Sequence, residues 1–379
     1  MRILQVFNRY LKPGGEENSV ARIARHLESG GHEVERFWRA SEEWQGEAAP
    51  PRWKQAILLG NNKPVLQQLL ARHREFKPDI WILHNVIPVI SLGVYGLARE
   101  LGVPIIQWLH NYRPISPSGA GERKAYFSET IRGAWRGSRI QTGLLAWHYA
   151  RVRRRGDFEA VKAWVAVSDA MRQTFAAADW FPDRLATLHH SWDIGEDPGQ
   201  SENEGFFLYL GRLIEEKGIR FLIELFARPE LRDVKLKVAG RGDLESELRA
   251  ISTSNVEWVG WVEGEEKRSL IRGSCAVLFP SLWREPLSTV AYEAYEQRRP
   301  IFTSSSGGMR EIVEDRVTGR VLNPGDQNEW SSAICGSASG WGDAGRDWLE
   351  SNVSPERWNE QFASILRERL NADEPSFQA

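Results

Sequence analysis

Arg284-Glu-Pro-Leu-Ser-Thr-Val-Ala-Tyr-Glu293 is the stretch whose reading decides the fold. Its two carboxylates, Glu285 and Glu293, have seven residues between them, the first just before a predicted helix and the second inside it. Upstream, Ala276-Val-Leu-Phe279 reads as a short buried strand, and Pro280 to Pro286 as the loop that leaves it. Ser288 and Thr289 are capping residues for a helix running to about Gln297. The N–H groups of its first turn, from Val290 on, are expected to be free for an anion, which the helix dipole favours. A carboxylate at the loop tip and another about two turns in can then hold hydroxyl groups on either side of a phosphate.

The flanking sequence keeps the same rhythm. Pro300-Ile-Phe-Thr303 is a further strand, followed by the glycine loop Ser304-Ser-Ser-Gly-Gly308 opening a helix over Met309-Arg-Glu-Ile-Val313. Thr318-Gly319 and Asn323-Pro-Gly-Asp326 mark turns. Earlier, Leu210-Gly-Arg-Leu-Ile-Glu-Glu-Lys-Gly218 sets Gly211 at a strand end, where a ligand can approach the backbone, and sends Arg212 and Lys217 toward it. Two converging cations suit a diphosphate, a group that leaves with negative charge when a glycosidic bond forms. Val238-Ala-Gly-Arg-Gly242 lacks the third glycine and the downstream ribose acid of a dinucleotide fingerprint.

Taken in order and spacing, the run 278–326 and the element 210–218 resemble the donor-binding half of the family 4 glycosyltransferases, which have the GT-B fold. The resemblance implies two Rossmann-like, doubly wound α/β domains with parallel sheets, facing a cleft. It also implies a retaining enzyme that moves a hexose from a UDP- or GDP-sugar to a glycan or lipid-linked acceptor, in cell-surface polysaccharide or glycolipid synthesis. No cofactor beyond the donor is implied, and no metal, since Asp-x-Asp is absent. Residue by residue, Glu293 would bond the ribose, Arg212 and Lys217 the diphosphate, and Glu285 the sugar hydroxyls. Gly211 and the stretch Leu287, Ser288, Thr289 and Val290 would line the donor, Gly240 and Arg241 would border the base, and Gly14 and Gly15 would close over phosphate and acceptor. His110, in Leu109-His-Asn-Tyr112, matches a histidine placed near the reacting sugar carbon, so the catalytic set is Glu285, His110, Arg212 and Lys217. His84 and Asn85, at an earlier strand end, join His110 and Asn111 as acceptor-side residues.

Three departures from the family pattern stand out. Tyr295-Glu-Gln-Arg-Arg299 replaces a run of small residues, Leu287-Ser288 stand where a glycine is usual, and His190-Ser-Trp-Asp193 replaces an interdomain Asn-Gly-x-Asp. The likeness is best over 206–326, fair over 1–40 and 78–118, and poor over 119–160. Two other readings fit the same residues: a nucleotide-sugar epimerase of the same fold, and a non-catalytic sugar-binding protein.

Bulk properties bound the rest. At 379 residues the chain is long enough for two cores. A net charge of −2 argues against a nucleic-acid partner, and two cysteines without ligand spacing argue against zinc ribbons and disulfide scaffolds. No signal peptide opens the chain, and the apolar stretch Ile80 to Ala98 is broken by His84, Asn85 and Pro88, so it reads as a strand and a helix, not a span. The expected setting is the cytoplasm, at the inner membrane face. Between Glu122 and Arg155 nine Lys or Arg face two acids, with Trp135, Trp147 and Tyr149 interleaved, a composition suited to an anionic membrane surface.

Strand and helix signals alternate throughout. Arg2 to Phe7, Ile80 to Leu83, Ile105 to Trp108 and Trp164 to Val167 are strands of a first sheet; Phe206 to Leu210, Val234 to Ala239 and Val277 to Phe279 belong to a second. The polar segment Asp193 to Gly205 reads as a linker, and Ser168 as a helix cap rather than a nucleophile. The expected division is 1–192 for the acceptor domain and 193–354 for the donor domain, with 355–379 forming a helix that crosses back to the first.

Overall fold

The computed structural model describes residues 1–11, 14–117, 119, 130–131, 137–336 and 340–370. Pro13, and residues 122–129 and 132–136 of the basic run, fall outside them. The chain divides into two compact units, Met1–Ser191 together with Pro355–Ala379, and Trp192–Ser354.

The first unit holds β1 (Arg2–Arg9), α1 (Gly15–Ser29), β2 (Glu33–Ala40), α2 (Arg52–Leu58), α3 (Lys63–Phe76), β3 (Ile80–Leu83), α4 (Gly93–Leu101), β4 (Ile105–Leu109), α5 (Arg139–Arg154), β5 (Val161–Ala166), α6 (Asp169–Ala177) and β6 (Leu185–Thr187). The second holds β7 (Phe206–Leu210), α7 (Ile219–Phe226), β8 (Lys235–Ala239), α8 (Glu245–Ile251), β9 (Val256–Gly260), α9 (Gly264–Gly273), β10 (Ser274–Phe279), α10 (Val290–Glu296), β11 (Ile301–Ser304), β12 (Gly319–Leu322), α11 (Gln327–Ile334) and α12 (Trp341–Asn352). Each unit is built on a six-stranded sheet, in the order β2-β1-β3-β4-β5-β6 and β12-β11-β10-β7-β8-β9, and all pairings are parallel. Strands buried on both faces need continuous apolar runs, and β3, β4 and β7 are buried at every position. The doubly wound expectation holds for both sheets.

Strand order fixes where ligands can enter. In the second sheet β7 lies between β8 and β10, so chain connections leave the β7/β10 boundary in opposite directions and open a crevice at the strands' carboxyl ends. In the first sheet the same reversal falls between β1 and β3.

The last helix, α13 (Pro355–Leu370), belongs to the first unit. It buries Trp358, Phe362, Ile365 and Leu366, one face at helical spacing. Trp358 stacks on Trp108 with ring centroids 5.8 Å apart, and its indole N–H donates to the His189 carbonyl at 3.1 Å.

Local readings are corrected in three places. The segment 193–205 is tied down within the second unit: the Gly195 N–H donates to Glu296 Oε1 at 2.8 Å, Arg298 pairs with Asp197, and Arg299 donates to the Ser201 carbonyl at 2.7 Å. The same contacts explain the unusual Tyr295–Arg299 run, because its polar residues hold this strap. Gly307–Glu311 is a 3₁₀ turn and not the start of an α-helix. The Tyr295 hydroxyl takes the Ile312 carbonyl at 3.0 Å, and Thr318 Oγ1 accepts the Glu314 N–H at 2.9 Å, so the ladder cannot continue. Finally, Thr289 makes no side-chain cap on α10; Ser288 Oγ accepts the Val290 N–H at 3.4 Å instead.

Candidate active site

Loops leaving β7, β8, β10 and β11 interlock at the carboxyl edge of the second sheet. The Leu282 N–H donates to the Glu216 carbonyl at 2.9 Å, and the Gly308 N–H to the Glu285 carbonyl at 2.9 Å. Two glycines allow this packing. Gly218 and Gly307 have φ of 71° and 77°, and a Cβ on them would lie 2.0 Å from the Pro280 carbonyl oxygen and 2.1 Å from that of Glu285. Gly240 does the same for the neighbouring loop, where a Cβ would meet the Gly211 carbonyl oxygen at 1.9 Å.

Inside this frame the β7 and β10 loops are joined at the switch point. Lys217 Nζ lies 2.5 Å from Glu285 Oε2, which also accepts the Trp283 indole N–H at 2.7 Å. Glu285 is buried, yet Oε1 has no described partner. Lys217 sits over the rings of Phe279 and Trp283, 5.3 and 5.6 Å from their centroids, so its charge is held by apolar walls and one carboxylate. Arg212 and Arg241, at the ends of β7 and β8, are exposed and form no ion pair among the described residues. Glu293 sits on α10 with Lys267 Nζ at 3.1 Å. The free first turn expected of α10 is only partly there: the Val290 N–H reaches Ser288 Oγ at 3.4 Å, and just before the helix the Ser288 N–H faces Met309 Sδ at 3.4 Å.

The first unit carries a second polar cluster at its own switch point. Asn85 is fixed by donating to the Asn8 carbonyl at 2.8 Å. Behind it runs a chain whose protons can be placed from donor chemistry. The Trp38 indole can only donate, and it meets Gln5 Oε1 at 3.2 Å, so Gln5 Nε2 faces His84 Nε2 at 3.1 Å as donor. His84 then carries its proton on Nδ1 and gives it to His110 Nε2 at 3.0 Å. His110 is left with a proton on Nδ1, a donor with no described partner. Burial holds His84 neutral, its pKa down to about 3, and burial plus the neighbouring His84 hold His110 well below its ordinary value. His190 stacks on His110, 6.1 Å between centroids at 8°, and bonds Ser19 Oγ at 2.9 Å.

Next to this chain, Tyr10 donates to Glu16 Oε2 at 2.8 Å and receives the Asn111 amide at 3.3 Å, with Arg113 5.9 Å from its ring centroid. Glu16 Oε1 is buried and makes no hydrogen bond among the described residues. Burial pushes the Glu16 carboxyl up to about 7, against the pull of the Tyr10 hydroxyl and the Arg113 charge. No atom of the described residues lies within 4 Å of a Cβ placed on Gly14 or Gly15, so packing among them does not ask for glycine there.

The chain matches the family described as Glycosyltransferase Family 4 over residues 13–195 and Glycosyl transferases group 1 over residues 191–335. A glycogen synthase of Mycobacterium tuberculosis is 32% identical over 317 residues, 80% of this chain and 67% of that one. The chain belongs to the family 4 glycosyltransferases. An alpha-D-kanosaminyltransferase of Streptomyces kanamyceticus is 28% identical over 63% of this chain and 62% of its own length. Against the first curated relatives the chain spans between 45% and 62% of their length. Among solved structures, the Anabaena protein HepE in complex with UDP and glucose superposes with a TM-score of 0.68 at 18% identity, over 97% of this chain and 100% of that one, which establishes the GT-B fold.

Within the chain, Gly211, Arg212, Lys217, Gly240, Arg241, Glu285 and the start of α10 all fall at the carboxyl edge of the second unit's sheet, and His84, Asn85, His110 and Asn111 at that of the first unit's sheet. Sequence reasoning passed over Gln5, Tyr10, Glu16, Trp38, Arg113, His190, Lys267 and Trp283. Only three of these had a signal: Glu16 directly follows Gly14-Gly15, Arg113 follows the Asn111-Tyr pair, and His190 stands in the altered interdomain motif.

Proposed function

We propose that this glycosyltransferase moves a hexose from a UDP- or GDP-sugar to a glycan or lipid-linked acceptor with retention at the anomeric carbon, on the cytoplasmic side of a membrane, in cell-surface polysaccharide or glycolipid synthesis. The observation that carries the donor reading is the Lys217–Glu285 pair at the β7/β10 switch point, flanked by the exposed cations Arg212 and Arg241. Cations of this kind neutralise a diphosphate as it leaves. Glu285 offers Oε1 to a sugar hydroxyl, and Glu293 the carboxylate for the ribose. His110 offers Nδ1–H to the reacting sugar or acceptor, and being neutral it acts as a hydrogen-bond donor. In the step itself the bond between the anomeric carbon and the β-phosphate oxygen breaks and the acceptor oxygen bonds the same face. The acceptor's proton passes to the leaving phosphate.

The donor class is supported by HepE, solved with UDP and glucose, and a glycan acceptor by the relative that is a glycogen synthase. The test is a thermal-shift screen against UDP- and GDP-hexoses, where a ligand at 100 times its Kd adds roughly 2.7 kcal/mol. It is followed by NMR of the product's anomeric configuration. No stabilisation by any sugar nucleotide would overturn the donor reading. Conversion of the sugar nucleotide without acceptor would replace transfer by epimerisation.

A further inference from the structure

Two helices far apart in sequence form one surface on the first unit. His148 of α5 donates from Nε2 to the Ala56 carbonyl of α2 at 2.9 Å, and a Cβ on Gly60 would lie 2.2 Å from the His148 ring, so the two backbones are close. The chain neighbours of that bond, Trp147 and Ile57, are 50% and 61% exposed. Each continues along its helix with another large apolar residue left in solvent. Ile140, 76% exposed, lies seven residues before Trp147, and Trp53, 69% exposed, lies four before Ile57, so each pair shares a helix face.

Charge on the same elements has a single sign. Residues 50–62 contain Arg52 and Lys54, residues 139–155 contain Arg139, Arg151, Arg153, Arg154 and Arg155, and neither stretch contains an Asp or Glu, although the whole chain carries −2. Arg52, Lys54, Arg151 and Arg154 are exposed and form no ion pair among the described residues. Arg151 lies over Trp147, 5.5 Å from its ring centroid, so cation and indole are presented together. Among the described residues no helix is long and apolar enough to cross a membrane.

We propose that the α2–α5 face docks the protein reversibly on an anionic lipid surface, with Trp53, Ile57, Ile140 and Trp147 entering the headgroup region and the arginines and lysine meeting lipid phosphates. Exposed aromatics beside cations suit a water–lipid boundary, where neither property alone holds a protein for long. A second copy is a poor occupant, because a two-fold contact of this face with itself would set like charges together. The proposal gives the lipid-linked acceptor of the preceding section a physical route to the enzyme, but the docking is read without donor or acceptor and stands or falls separately.

The test is co-sedimentation of the full chain with phosphatidylcholine vesicles, with and without phosphatidylglycerol. The native protein should pellet with the anionic vesicles and be released as salt rises, since attraction is screened beyond roughly 8 Å at physiological ionic strength. Arg151→Gln with Arg154→Gln should weaken binding by about ten-fold or more. Trp53→Ser, Ile57→Ser and Trp147→Ser together should abolish it, with circular dichroism unchanged because these side chains support no core. Native protein left in the supernatant with anionic vesicles at low salt would overturn the proposal, as would an apolar triple variant that pellets like the native chain. A dimer in solution that the same variants dissociate would assign the face to self-association instead.

Discussion

Lys217 and Glu285 meet at 2.5 Å across the one boundary in the second sheet where the chain reverses direction, with 14% and 8% of their side chains exposed. A pair this buried is costly to break from one side, because the remaining charge is left without a counter-ion. Lys217→Met should therefore destabilise the second unit by roughly 3 kcal/mol, and adding Glu285→Gln should recover part of that loss. Urea unfolding of the two variants checks it: a double variant no more stable than Lys217→Met would show that the pair is not coupled.

The two carboxylates should separate by ligand fragment. Glu293→Gln is expected to weaken binding of the free nucleoside diphosphate about ten-fold, while Glu285→Gln leaves it nearly unchanged and lowers turnover. Arg212→Ala should lose about 2 kcal/mol of transition-state stabilisation, as expected for a charge that meets developing charge. Calorimetry with UDP and GDP, set beside initial rates, distinguishes these outcomes; equal losses of nucleotide affinity for both glutamates would refute the division.

The second unit was readable because its site is written locally. Gly211, Arg212 and Lys217 lie within seven residues, and Glu285 and Glu293 within nine, so strand-end placement followed from periodicity alone. In the first unit His84 and His110 are legible as strand-end residues, but Gln5 and Trp38, which join them through hydrogen bonds between neighbouring strands, are announced by no spacing in the sequence. The strap over 193–205 was misread for a related reason. Its polar composition is that of a linker, but its partners, Glu296, Arg298 and Arg299, lie about a hundred residues later. The 3₁₀ turn at Gly307–Glu311 likewise depends on Tyr295 and Thr318, which local helix propensity does not see.

The proton on His110 should be set from Trp38, two hydrogen-bonded residues away. Trp38→Phe keeps the ring but removes the donor that orients the Gln5 amide, and Gln5→Leu removes the amide itself. Both should let His84 and His110 exchange tautomers, visible as a shift of the His110 ring nitrogens in ¹⁵N NMR. Turnover should fall while UDP affinity stays constant, because both residues belong to the first unit and the donor is proposed to bind the second. An unchanged Nδ1–H tautomer in Gln5→Leu would show that something else fixes it.

Acid should act on the first unit through two opposed groups. His84 and His110 have folded pKa values well below the ordinary histidine value, for His84 down to about 3, so between each group's folded and ordinary values the unfolded chain binds more protons, and stability rises with pH. Glu16 is the reverse: with a folded pKa of about 7 it holds a proton that the unfolded chain releases near 4.5, so its contribution falls as pH rises through that interval. Among the described residues the groups facing Glu16 are Tyr10, Asn111, Arg113 and Glu17, and burial holds the Tyr10 hydroxyl far above this range while its neighbours hold Arg113 charged. Two histidines outweigh one carboxyl between about pH 4.5 and 6.5, so these groups together should make the native unit gain stability on going up that range. Glu16→Gln still accepts the Tyr10 hydrogen bond but cannot titrate, and should make the gain steeper. Urea midpoints measured at half-unit steps of pH decide it, and a slope unchanged by the substitution would mean that Glu16 is ionised in the folded chain well below neutrality.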